Sequence, residues 1–371
     1  MPDQLSAEEL ALRERVTILA QDVLVPLRDD RALDPGVRAT RIRDASKQAG
    51  VFSMAQPKEF GGGASLLELT VVRDTLGAHN VCHLPGIFGP GPGVLGGAGE
   101  PLRSQYLAPV LAGEKRGAFG FTEPVDAERA TWGALNDGTL TVNGQKSYVT
   151  GGADADFINV LVEVEGRGPA MVVIDRDAPG VQIVRTFGSV DGSRHAYMEF
   201  RDVRVPEAHI IGRPGEGLPR AMRQIGDTRL AIAAESVGLA RWVIDFVTEH
   251  IAKPHRSGTP LAAREGVRLR YADMRIRAYA ARSMVYRTAR LGDAGENIIN
   301  EGIASKVFAT EAIGEIVDTG IQLVGGAALR SGHPLEALYR RVRALRLAEG
   351  ASDILRLNLA RGRLDLAKGR I

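Results

Sequence analysis

Cysteine is nearly absent from this sequence. Cys82 stands alone among 371 residues, which excludes an internal disulfide and any cysteine-based metal cluster. Histidine is sparse as well: the seven are scattered, and His250 and His255, five apart, make a poor ligand pair. Net charge is almost missing too. Forty-seven Lys and Arg against forty-five Asp and Glu leave +2, too balanced for a footprint on nucleic acid or anionic lipid. No apolar run approaches the roughly 18 residues of a membrane span, and the start, MPDQLSAEELALRERV, lacks the apolar core of a signal segment. These absences lead us to expect a soluble, cytoplasmic protein with neither a nucleic-acid nor a membrane partner, and with no bound metal. Aromatics are few, at 5%, whereas glycines number 44.

What is present has a clear order. The length suggests two or three domains. Ser6 with Glu9 forms a capping box before an amphipathic helix reaching about Leu27, and Asp34-Pro35 opens another to about Ala49. Ser65 caps a third to about Leu76, and helix resumes from Pro101 to about Leu111. Between Gly117 and about Gly212 the period falls from 3.6 to 2, with FINVLVEVEG, AMVVIDRD, VQIVRTFG and HAYMEFRDVRVP as short strands. Long helical stretches then span about Pro219–Ala252, Ala262–Leu291 and Glu296–Val324, and Ala351 to about Leu366 closes the chain. Val267, Met274, Tyr279 and Val285 read as inward on the second, and Ile299, Ile303, Val307, Ile313, Val317 and Leu323 as one stripe on the third. The expected class is a multidomain α+β protein: a helical domain over 1–116, a small β-barrel or β-sheet domain over 117–215, and an antiparallel four-helix bundle over 216–371.

The stretch AFGFTEPVDAERATWGALNDGTLTVNGQKSYVTGG, from Ala118 to Gly152, carries the clearest chemistry. Phe119, Phe121 and Thr122 form a β-favouring run that Pro124 ends. Leu140–Val142 and Tyr148–Thr150 alternate around Asn143-Gly144, which reads as a hairpin turn. Two strand ends thus present Thr122 beside Phe121 and Thr150 beside Tyr148. Rings with neighbouring hydroxyls suit a flat heteroaromatic ligand with polar edges. Ordinary sheet pairing produces the same residue pairs, so both readings stand at this point.

Four segments in this order resemble the acyl-CoA dehydrogenase family over essentially the whole chain: FTEP at Phe121–Pro124, NGQKSYVTGG at Asn143–Gly152, VRVP at Val203–Pro206, and QLVGG at Gln322–Gly326 with EGASDILRL at Glu349–Leu357. The resemblance implies FAD, an acyl-CoA substrate, an electron-transfer flavoprotein as acceptor, a role in fatty acid metabolism, and a homo-oligomer, dimer or tetramer. It implies that Glu349 is the base that takes the α-proton while the β-hydrogen passes as hydride to flavin N5, with Arg229 close by. Phe119, Phe121, Thr122, Tyr148 and Thr150 would meet the flavin. Gln322, Gly325 and Gly326 would lie against the FAD of a neighbouring subunit, and Ala351 and Asp353 on the cofactor side. Gly350 and Ser193 would adjoin the substrate. Without the resemblance, Glu349 reads as an acid before the following helix, Thr150 as a hairpin residue, Arg229 as a helix-surface cation and Gly325-Gly326 as a helix stop.

This chain also departs from the family pattern on the cofactor side. Where the family reads G-x-G-S-D after TEP, here stand Val125, Asp126, Ala127, Glu128 and Arg129, and an acid facing a pyrophosphate is repulsive. Either Arg129 and Thr131 replace the missing serine, or the loop takes another path, or affinity falls. The R-x-x-F-G-x-P loop has become Pro254-His255-Arg256-Ser257-Gly258-Thr259-Pro260, the glycine turn is G-G-A-A, and the Thr that follows the base's glycine is Ala351. These losses leave open a pseudo-dehydrogenase or half-site subunit in a mixed oligomer with a sister chain. A flavin oxidase or monooxygenase on the same fold is a further alternative, against which Glu349 argues.

Overall fold

The computed structural model describes residues 4–255, 258–369 and 371; Arg256 and Ser257 of the altered loop lie outside the described residues. The chain forms two compact units, Met1–Ala55 with Gly63–Phe88 and Gly226–Ile371, and Gln56–Gly62 with Gly89–Ile225. In chain order a helical N-terminal region is followed by a β-sheet and then by C-terminal helices.

The first unit is helical. Helix α1 (Ala7–Leu19) begins as the capping box requires: Ser6 Oγ accepts from Glu9 N–H, and Glu9 returns the bond to Ser6 N–H at 2.7 Å. A π-turn joins it to α2 (Val25–Asp29). Asp34 accepts from the N–H groups of Gly36 and Val37 and opens α3 (Pro35–Gln48). Ser65, boxed with Glu68, opens α4 (Leu66–Ala78). His79 and His83 have the spacing of a helical ligand pair, but α4 ends at Ala78, so no helix face carries both.

The second unit holds the short helix α5 (Ala108–Ala112) and one eight-stranded sheet. Its strands are β1 (Gly117–Gly120), β2 (Trp132–Asn136), β3 (Thr139–Thr150), β4 (Phe157–Val164), β5 (Gly168–Asp175), β6 (Val181–Gly188), β7 (Arg194–Pro206) and β8 (Ile210–Ile211). They run β6-β7-β3-β2-β4-β5-β8, and β1 pairs in parallel with β4. Alternate side chains of β3, β4, β5 and β7, among them Leu140, Val142, Ile158, Val160, Val172, Ile174, Met198 and Phe200, close into one core. Each fully buried Val or Leu there contributes about 1.5–3 kcal/mol over its exposed state.

The hairpin expected at Asn143-Gly144 is not there. The turn lies at Asp137-Gly138, where both residues have positive φ, 47° and 72°, as a two-residue turn matching the strand twist demands. Asn143 and Gly144 instead sit inside β3 at a bulge opposite β7: Asn143 Nδ2 donates to Asp202 Oδ1, and Asp202 N–H donates back to Asn143 Oδ1. A Cβ on Gly144 would lie 2.6 Å from Thr131 Cα, so this dipeptide serves a close approach rather than a reversal. The reading also missed β2, which Trp132 starts and which pairs with β3.

The chain continues into α6 (Gly217–Ala252), α7 (Glu265–Asp293), α8 (Ile299–Val324), α9 (Pro334–Leu345) and α10 (Ser352–Leu364). Two clusters order the long helices. Leu239–Ile251 of α6 pack with Met274 and Ala278 of α7 and Ile313–Leu323 of α8, whereas Leu230–Val237 pack with Ala281–Ala289 and with Ala309 and Ala312. Residue numbers rise along α6 and α8 as they fall along α7, so consecutive helices are antiparallel. Two residues expected inside are exposed: Tyr279 at 63% and Ile299 at 65%. No helix of the described residues is long and apolar enough to cross a membrane.

Candidate active site

The residues singled out from the sequence fall on both units. In the helical unit, Glu349 and Gly350 form the turn between α9 and α10, both with positive φ, 53° and 110°. A Cβ on Gly350 would lie 2.9 Å from Leu355 Cδ2, so glycine alone fits this turn. A side chain as large as glutamate at φ +53° is a strained choice that its surroundings must hold. Arg229 of α6 does so, its Nε donating to the Glu349 carbonyl at 2.9 Å. Lys306 of α8 donates from Nζ to the Gly350 carbonyl at 2.9 Å and is fully buried.

This turn is electrostatically tuned. Burial raises the carboxyl of Glu349 above the ordinary glutamate value, while the charges of Arg229 and Lys306 pull the other way. Burial, reinforced by Arg229, pushes the ammonium of Lys306 down to about 8. Burial also lowers Arg229, with Glu349 opposing it. A half-buried carboxylate above its usual range, beside two cations that bond the main chain of the turn, Arg229 at Glu349 and Lys306 at Gly350, is poised to take a proton.

Lys306 was not picked out from the sequence. Its signal was available: it interrupts the buried stripe of Ile303, Thr310, Ile313 and Val317 on α8, and a lysine in such a stripe needs a partner. The remaining residues of this unit stand apart from the turn's hydrogen bonds. Gln322 is exposed near the end of α8, which Gly325 stops at φ +83°, and Gly326 begins a 3₁₀ turn. Ala351 caps α10, and Asp353 in its first turn is exposed and 3.7 Å from Arg356.

In the sheet unit, Phe119 and Phe121 stack at 5.8 Å between ring centres. Strand β1 ends at Gly120, so Phe121 and Thr122 lie just past it, and Ser147 N–H bonds the Thr122 carbonyl at 2.9 Å. This ties Thr122 to β3 beside Tyr148. Tyr148 sits where the pairing of β3 with β7 slips, at φ +52°, and its ring is 61% exposed. Phe187 and His195 support that ring edge-on, with centres 5.2 and 5.7 Å away. Thr150 is exposed two residues on, its Oγ1 3.1 Å from His195 Nδ1. Ser193 lies 3.0 Å from the other nitrogen of the same imidazole. Neither His195 nor Phe187 was singled out from the sequence, because β6 and β7 bring them to β3 only through long-range pairing.

The exposed, propped ring of Tyr148, with Thr122 tied beside it through its carbonyl and Thr150 two residues on, fits the flat ring system of a flavin. The run Val125–Arg129 fits a pyrophosphate poorly. Arg129, its only cation, bonds Glu165 at 3.1 Å and covers the Trp132 ring, while Asp126 and Glu128 are exposed. Thr131 is buried and donates to Glu123. Thr131, buried and bonded to Glu123, is not free to replace the missing serine, whereas Arg129 remains about half exposed at the surface. Glu123 in turn pairs with the buried Lys146.

Residues 118–203 match the model of the acyl-CoA dehydrogenase middle domain and residues 215–364 that of the acyl-CoA dehydrogenase C-terminal domain. An acyl-CoA dehydrogenase of Bacillus subtilis is 26% identical, the match covering 95% of this chain and 97% of the relative. An acryloyl-CoA reductase (NADH) of Anaerotignum propionicum is 27% identical over 97% and 95%. A solved probable acyl-CoA dehydrogenase from Mycobacterium abscessus superposes with a TM-score of 0.83 at 25% identity, covering 96% of this chain and 98% of that one.

Proposed function

This chain belongs to the acyl-CoA dehydrogenase family, oxidoreductases acting on CH–CH groups, and from that premise we propose that it dehydrogenates an acyl-CoA thioester at the α,β position with FAD. The observation that carries the proposal is the Glu349-Gly350 turn, a proton-accepting carboxyl raised by burial and held at the backbone by Arg229 and Lys306. Glu349 takes the α-proton. Its backbone N–H and the side-chain-free Gly350 leave room for the thioester oxygen as charge develops on it. Tyr148 offers FAD a face, Thr122 and Thr150 offer hydroxyls, and Phe119 and Phe121 wall the approach. Gln322, Gly325 and Gly326 meet the FAD of a neighbouring copy, Ala351 and Asp353 lie on the cofactor side, and Ser193 adjoins the CoA portion. FAD, when bound, supplies the acceptor for the two electrons, which pass on to an electron-transfer flavoprotein.

A dye-linked assay with acyl-CoA beside an oxygen electrode tests this reading. Dye reduction with little oxygen uptake is expected; oxygen uptake matching substrate loss would make the protein an oxidase. Lys306→Met tests the turn. Methionine fills the volume but removes the cation that draws Glu349 downward, so the carboxyl rises further and the acid limb of the pH–rate profile moves to higher pH. The inflection near pH 8 that Lys306 itself contributes disappears. An unchanged profile would remove Lys306 from the account.

A second reading rests on one observation, the commitment of Arg129 to Glu165 and Trp132 beside the exposed Asp126 and Glu128. It is a subunit that holds FAD weakly until a sister chain completes the pyrophosphate side. Replacing both acids, Asp126→Ser with Glu128→Ser, is expected to tighten FAD binding by roughly tenfold, one pair of unit charges near a surface being worth a few kcal/mol at most. Titration of apoprotein with FAD measures it, and an unchanged affinity would take these acids out of the cofactor site.

A further inference from the structure

Around His195 the hydroxyl hydrogens can be counted. Ser193 Oγ donates its single hydrogen to Asp191 Oδ1 at 2.7 Å, and Ser193 N–H bonds the same oxygen at 3.0 Å. Toward His195 Nε2, 3.0 Å away, that oxygen therefore has only lone pairs to offer, so a hydrogen bond between the two takes its hydrogen from Nε2. Ser189 Oγ, 2.9 Å from Nε2, accepts equally well. A neutral imidazole with its proton on Nε2 has a bare lone pair on Nδ1. Thr150 Oγ1 lies 3.1 Å from Nδ1, so Thr150 is the donor of that bond. Its one hydrogen is thereby turned away from any ligand on the open side of the strand.

We propose that His195 is a positioning residue of the ring site: neutral, it draws the hydroxyl hydrogen of Thr150 onto Nδ1; protonated, it donates to Thr150 Oγ1 and turns that hydrogen outward to the edge of the bound ring. This rests on the reading that FAD lies against Tyr148 and Thr150. A hydrogen bond donated to the ring edge favours the form that has taken up electrons, so the protonated state of His195 makes the flavin the better acceptor. The pairing, ring contacts and hydrogen bonds bring these titratable and charged groups to His195: Tyr148 from β3, Asp191 from the turn before β7, and the adjoining Arg194 of β7 itself. Histidine is the ordinary side chain that changes charge between about pH 5 and 8.

The test follows the visible bands of FAD-loaded protein from about pH 5 to 8, without substrate, for the parent, His195→Asn and Thr150→Val. Nitrogen chemical shifts of the His195 ring are read on the apoprotein. The expected result is a band shift in the parent that both variants lose while still holding FAD, with the neutral ring carrying its proton on Nε2. A shift that survives in His195→Asn overturns the inference, as does a neutral ring protonated on Nδ1. A parent protein that holds FAD with bands indifferent to pH overturns the inference alone. One that holds no FAD at any pH overturns the reading beneath it as well.

Discussion

Glu349→Gln is expected to leave the folded protein and its flavin content intact and to slow acyl-CoA-dependent flavin bleaching by about 10²- to 10⁴-fold, the usual contribution of a positioned general base. The fold should survive because the bonds that fix this turn do not use the carboxylate: Arg229 bonds the main-chain carbonyl of residue 349, and Lys306 that of Gly350. Glutamine preserves both. Stability at neutral pH should even rise slightly. A carboxyl whose folded pKa is raised by burial holds its proton more tightly folded than unfolded, so its ionisation opposes folding above the unfolded pKa. Glutamine has no such ionisation. Stopped-flow bleaching under anaerobic conditions, beside a thermal melt, measures both effects. A variant that bleaches at the parent rate would place the base elsewhere.

Asp74→Ala should have the largest effect on stability, about 3–5 kcal/mol, the range found when one partner of a buried ion pair is removed. Asp74, on α4, is 2% exposed and is bonded by Arg241 of α6 at 3.0 Å, by Arg282 of α7 at 2.8 Å and by the hydroxyl of Tyr286 at 2.6 Å. Burial alone would raise this carboxyl. The charges of Arg241 and Arg282, with the Tyr286 hydrogen bond, more than offset it and hold it below the ordinary aspartate value. Deleting it removes the counter-charge that Asp74 gives Arg282, which is itself largely buried and also bonds Tyr286. The contribution of Asp74 is present above the unfolded carboxylate pKa and is lost as the pH falls through the depressed folded value. Urea melts across that range should show the parent losing stability at acid pH and Asp74→Ala already low at neutral pH. A neutral-pH loss below about 1 kcal/mol would mean that the arginines find water or other partners.

How far the sequence was legible depended on the range of the interaction. Capping boxes such as Ser6 with Glu9 are complete within four residues, and they were read correctly. The strands from Phe157 to Pro206 were read from their own alternation, and the order of helices, sheet and helices followed from the changes of period. The Asn143-Gly144 turn was misread because the same dipeptide suits a bulge, and the choice between Asn143-Gly144 and Asp137-Gly138 is made by how β3 pairs with β2 and β7. Tyr279 was misplaced because the buried face of α7 runs through Met274, Ala278, Ala281 and Val285, one position before it and two after, which leaves its side chain outside. At the candidate site, Glu349 was legible because its neighbours form a family word. His195 was not, since it acquires meaning only through Thr150, distant in sequence; Lys306 stands out in the buried stripe of α8, but its partner, the Gly350 carbonyl, is set by long-range packing.

The most direct measurement is the visible spectrum of the protein equilibrated with FAD and washed, followed by anaerobic addition of acyl-CoA thioesters of differing chain and branching. The account predicts retained flavin bands that bleach with at least one thioester, and that persist with the same thioester in Glu349→Gln. A protein that retains no flavin, or whose flavin no thioester bleaches, would contradict it.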